Sequence, residues 1–97
     1  MAAISSLSSR QRSVGILTLD DSTLLVELAR GARVHVEVQD LAGATKAVLY
    51  SGWLPSGRHD VYWLGVDQEG RFVPSGTYVL MVYGTAGDAS CEFQHSR

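Results

Sequence analysis

The chain has 97 residues, enough for one domain and too few for two ordinary ones. Its 45% hydrophobic and 19% charged residues exclude a disordered chain, and a formal net charge of -2 offers no general attraction to nucleic acid or to an anionic membrane. Cys91 is the only cysteine, so there is no intrachain disulfide, and no stretch approaches the roughly 20 apolar residues of a membrane span.

Residues 1–13 are rich in Ser, Ala and Arg and read as a flexible lead, with a short strand near Ile4 to Leu7 that a neighbouring chain could accept. They lack the apolar core of a secretory signal. The expectation is therefore a cytoplasmic chain, or one exported without a cleaved leader. From Val14 to Arg97 the sequence alternates strand and turn, and this part is read as one domain.

Val14 to Leu19 is a short apolar run stopped by Asp20-Asp21-Ser22. Thr23 to Ala29 places Leu24, Val26 and Leu28 on one side. Arg33 to Gln39 alternates most cleanly, with Val34, Val36 and Val38 inward and His35, Glu37 and Gln39 outward, as a half-buried antiparallel strand requires. After the turn Asp40-Leu41-Ala42-Gly43, Thr45 to Tyr50 returns, and Ser51 to Gly57 is expected as a connection. Arg58 to Leu64 follows, then a loop from Gly65 to Gly76, then a hairpin of Thr77 to Gly84 with Ala89 to His95. About seven short strands and no helical period predict an all-β, antiparallel β-sandwich of immunoglobulin or fibronectin type III-like kind.

Two near-copies of one turn stand out, Leu54-Pro55-Ser56-Gly57 and Val73-Pro74-Ser75-Gly76. Proline presets the second position of a β-turn and glycine closes it, so each copy is expected to launch a strand. Between and beside them, Trp63 and Tyr78 are predicted core anchors. Gly65 allows a bulge or close approach, and Asp67 with Gly70 suits a turn ending in positive φ.

The ordered series Val34 to Gly43, Leu54 to His59, Val61, Trp63, Gly65, Asp67, Gly70-Arg71 and Val73 to Tyr78 resembles the immunoglobulin-like domain of the bacterial flagellar hook-capping protein family. The resemblance covers the chain from about Leu24 to its end. It implies a stand-alone structural module, and export by a flagellar-type route without a cleaved signal. Two departures limit it. Leu64 stands where the family often has an acidic residue, and nothing here corresponds to the family's long N-terminal region.

No pattern for catalysis is present. His35, His59 and His95 lie on different strands without metal-ligand spacing and read as exposed strand residues. Asp67 and Glu69 beside Gly70 lack the further acidic residues of a calcium loop, and Asp20-Asp21 reads as a charged turn. Ser56 and Ser75 sit in turns rather than in a nucleophile elbow. Cys91 alternates with Ala89 and Phe93 and reads as a small buried hydrophobe. No cofactor or metal is expected.

One strand exceeds what a core needs. Tyr78, Leu80 and Val82 line one face, but Val79, Met81 and Tyr83 make the other apolar as well. That second face is expected to lie under the N-terminal segment or against another chain, with Tyr50, Trp53 and Leu54 extending it. A non-enzymatic module for protein contact or self-association in a bacterial appendage or surface assembly is thus expected, without nucleic acid or membrane insertion. The alternatives are a carbohydrate-binding sandwich using Trp53 and Tyr62, and a cytosolic adaptor that pairs a client peptide with an edge strand.

Overall fold

A computed structural model of the chain describes residues 4–5, 14–18, 23–85 and 87–96. The described strands are β1 (Ile4–Ser5), β2 (Val14–Thr18), β3 (Thr23–Leu28), β4 (Ala32–Gln39), β5 (Thr45–Leu54), β6 (Gly57–Tyr62), β7 (Gly76–Gly84) and β8 (Ala89–His95). They form two antiparallel sheets, ordered β1-β2-β3-β6 and β5-β4-β7-β8. The protein is an all-β sandwich, as the strand spacing predicts. The flexible character expected of the N-terminal lead falls mostly on residues outside those described. Ile4–Ser5 pairs with β2, within its own chain.

The alternation that predicts each strand also builds the core. Val14, Ile16, Leu24, Val26 and Leu28 point in from one sheet, and Val34, Val36, Val38, Leu80 and Val82 meet them from the other. β-Branched residues dominate because they fill a pleated, half-buried surface well. Cys91 is buried among them, as expected for a small apolar residue.

Two sequence expectations need correction. Ser51 to Leu54 is not a connection but the second half of β5, because β4 is long enough to supply partners as far as Ala32, which lies opposite Leu54. The register shifts of β5, opposite Val36/Glu37 and Val38/Gln39, lie in the first half of the strand, and Tyr50 to Leu54 pair with β4 in unbroken register. His95 is not exposed either. It continues the inward series Ala89, Cys91, Phe93 and is buried.

The Pro-Ser-Gly turns do launch strands, since β6 begins at Gly57 and β7 at Gly76. Each stands where the chain passes from one sheet to the other. At the second crossing the Tyr78 hydroxyl donates to the Pro74 carbonyl at 2.6 Å, four residues upstream. This is the tyrosine corner of immunoglobulin-type sandwiches. Trp63 lies across it, its indole N–H donating to the Val66 carbonyl at 2.8 Å and its ring edge-on to Tyr78 and Phe93.

Asp40 and Asp67 build two copies of one turn. In each, the Oδ1 oxygen accepts the amides two and four residues on, Ala42 and Ala44 in the first, Glu69 and Arg71 in the second, all at 2.9 Å. The fourth residue, Gly43 or Gly70, donates its amide to the aspartate carbonyl with φ of 92° or 81°. These amides favour the ionised side chain and hold both carboxyls below the usual aspartate range, Ala44 contributing most for Asp40 and Arg71 for Asp67.

A depressed carboxyl binds its proton less readily in the folded than in the unfolded chain. Its stabilising contribution is therefore complete above the unfolded value of about 3.9 and is lost as pH falls through the lower folded value. Melting temperature should hold level above about pH 5 and drop below about pH 4. The double variant Asp40→Asn/Asp67→Asn keeps an acceptor in each turn but cannot titrate, so thermal melts across this range should show a shallower acid limb. An unchanged limb would mean that the two turns contribute nothing to acid sensitivity.

Candidate protein-interaction surface

The outer face of the β5-β4-β7-β8 sheet carries the residues that the sequence singles out. Across it, Tyr83 lies opposite His35, Met81 opposite Glu37 and Val79 opposite Gln39. Val79 and Met81 are half-buried, while Tyr83 is 40% exposed. On the far side of β4, Trp53 pairs with Arg33 and Val48 with Glu37, which puts both on this same face. Val48 is 46% and Trp53 58% exposed. Trp53 also covers Gly31, where an added Cβ would meet its ring at 2.5 Å.

Tyr50 does not belong to this surface. It pairs with the fully buried Val36, so the pleat turns it to the opposite side, where its hydroxyl donates to the Trp53 carbonyl at 2.6 Å. There it lines a groove of about 530 Å³ with Leu49, Leu54, Val61 and Tyr62, between β5 and β6. Leu54, inward opposite Ala32, belongs to that groove as well. Ile4–Ser5 lies in the other sheet, so this part of the N-terminal segment does not cover the outer face.

The outer face has a polar centre that periodicity does not reveal. Glu37 is only 9% exposed although it points outward. One carboxylate oxygen accepts from His35 Nε2 at 2.8 Å, and the other from Gln39 Nε2 at 2.6 Å and Thr45 Oγ1 at 3.0 Å. Gln39 also reaches the Tyr83 hydroxyl at 3.3 Å. The Gln39 bond leads the causes that hold Glu37 below the usual glutamate range, with His35 and Thr45 adding to it against the opposing effect of burial. The sequence hint is the polar row His35, Glu37, Gln39 facing apolar Met81. A carboxylate so fully committed to neighbours is a rigid polar anchor rather than a free base.

The other sequence-selected residues are structural. Trp63, Gly65, Asp67, Gly70, Pro74, Gly76 and Tyr78 all lie in the second sheet crossing or in the loop before it. His59 donates through Nε2 to the Pro55 carbonyl at 2.7 Å and ties the first Pro-Ser-Gly turn. His95 packs at a tilt against Trp63, ring centroids 4.9 Å apart, and its buried Nε2 has no hydrogen-bond partner among the described residues. Gly65 makes room for that ring, since a Cβ there would fall on it.

Trp53 and Tyr62 leave the outer faces of opposite sheets and do not form one stacking platform. Among the described residues no group of three acidic, histidine or cysteine side chains is placed to hold a metal ion. No helix among them is long and apolar enough to cross a membrane. No protein-family model matches the chain, and no curated protein matches it.

Proposed function

We propose that this domain is a non-enzymatic module that makes protein–protein contacts in a bacterial appendage or surface assembly. The observation that carries the reading is the outer face of β7. Val79, Met81 and Tyr83 put apolar side chains on the solvent side of the sheet, and Val48 and Trp53 do the same on β5, beyond the polar row of β4. A solvated sheet face is ordinarily polar, and apolar side chains flanking a polar anchor are the composition of a contact site. The resemblance of the Trp63 to Tyr78 series to hook-capping immunoglobulin-like domains supports the appendage setting.

A photo-crosslinking amino acid placed at Met81 or Tyr83 in cells producing the protein should yield a defined protein adduct. The same probe at Gln68, in the exposed Asp67 turn, should not. Equal labelling at all three positions, or none at Met81 and Tyr83, would remove the outer face as the contact surface.

A further inference from the structure

Among the described residues, β5 and β6 end their respective sheets on the same side of the sandwich, and together they wall the groove that holds Tyr50. A terminal strand presents a row of unpaired backbone groups to any strand that approaches. The two edges are not equally suited to this. β5 is broken by two register shifts, which disturb a regular ladder, whereas all six residues of β6 pair with β3 in unbroken register.

The charges on β6 select a partner. Arg58 and Asp60 are both exposed and lie on the same face of the strand. Outward-pointing backbone groups recur at every second residue, so two antiparallel copies of β6 about a two-fold axis must oppose residues of like parity. Three registers bring the charged pair into play. One sets Arg58 against Arg58, and another sets Asp60 against Asp60. The third sets Arg58 against Asp60 twice, once on each side of the axis, with His59 opposite His59 at the centre. Like charges directly opposite destabilise a strand pair, and opposite charges stabilise it. The strand is thus self-complementary in one register.

We propose that the chain forms a two-fold dimer by antiparallel pairing of β6 with β6 of a second copy, in the register that opposes Arg58 to Asp60. This rests on the reading of the domain as an assembly module and names one of its contacts. Arg58 already donates through Nε to Glu27 at 2.9 Å, which holds its stem and leaves the remaining guanidinium N–H groups for the second copy's carboxylate. Pairing joins the two sheets edge to edge and brings the two grooves together, covering Leu49, Tyr50 and Leu54 at their mouths.

The test is sedimentation velocity of the full chain from the micromolar to the millimolar range. The wild type should show a concentration-dependent monomer–dimer equilibrium. Asp60→Arg alone opposes arginines and Arg58→Asp alone opposes aspartates, so each should dimerise about tenfold or more weakly. An equimolar mixture of the two should form a heterodimer, and Arg58→Asp/Asp60→Arg in one chain should restore the homodimer. Thermal melts of each variant check that the fold is retained.

A wild type that stays monomeric, single variants that dimerise normally, or a mixture that fails to associate would each overturn the inference. A Met81 adduct with a different protein, alongside a monomeric wild type, would leave the assembly role standing and remove this interface alone.

Discussion

Trp63→Ala should destabilise the domain by about 3–5 kcal/mol, the range for deleting a buried large aromatic. The side chain is 2% exposed and stands at the junction of four groups. It meets Tyr78 and Phe93 edge-on, with ring centroids 5.1 Å and 5.7 Å away, and it packs on His95 at 4.9 Å. Its N–H is also the partner of the Val66 carbonyl, so alanine leaves a cavity and an unpaired acceptor together. Domains of this size have about 5–15 kcal/mol in total, so the variant should be largely unfolded at modest urea concentration. Trp63→Phe keeps an aromatic filler and should recover part of the loss, but not the hydrogen bond. If the urea midpoint of Trp63→Ala falls by less than the equivalent of about 1 kcal/mol, the aromatic cluster around Trp63 contributes little to stability.

Gly65→Ala should cost nearly as much for a different reason. Gly65 has φ of 78°, where a residue with a Cβ costs about 1–2 kcal/mol. The added carbon also falls on the His95 ring, and forced overpacking of that kind costs about 1–3 kcal/mol more. The two causes can be separated. In a His95→Ala background the ring is gone, so Gly65→Ala should cost only the backbone part, and the double variant should be more stable than the sum of the singles predicts. Chemical denaturation of the four proteins measures that coupling. Strict additivity would show that His95 does not set the need for glycine here.

Most of the architecture is legible in the sequence because period-two alternation has a direct physical counterpart. Val34, Val36 and Val38, or Tyr78, Leu80 and Val82, have no other way to be buried together in an antiparallel sheet. β5 is misread beyond Tyr50 because Ser51, Gly52 and the following Pro55-Ser56-Gly57 carry turn chemistry, so Ser51 to Leu54 resemble a connection although β4 pairs with them. His95 is misread because a histidine at a strand end is ordinarily solvated. Its burial depends on Gly65, thirty residues earlier, leaving space for the ring.

The candidate contact surface is legible only in part. Val79, Met81 and Tyr83 declare themselves by being apolar on the wrong side of a strand. The Glu37 network does not, because its donors come from β4 and from Thr45 across a turn, and no spacing rule joins them. Tyr50 is assigned to the wrong side because of the register shift opposite Val36/Glu37. One extra residue in β5 reverses which face the following side chains point to. The charge pattern of β6 is plain in the sequence, but it gains meaning only once β6 is seen to be a sheet edge.

The surroundings of Trp63 also order events in time. Its neighbours come from the loop after β6, from β7 and from Phe93 and His95 of β8, so its surroundings are complete only once the C-terminal strands are in place. Its fluorescence is therefore an internal clock. Collapse of β2, β3 and β4 should leave it in a watery environment, and its emission should shift to the blue only when the final strand arrives. Trp53, on the outer face, provides the unshifting background against which that arrival is read.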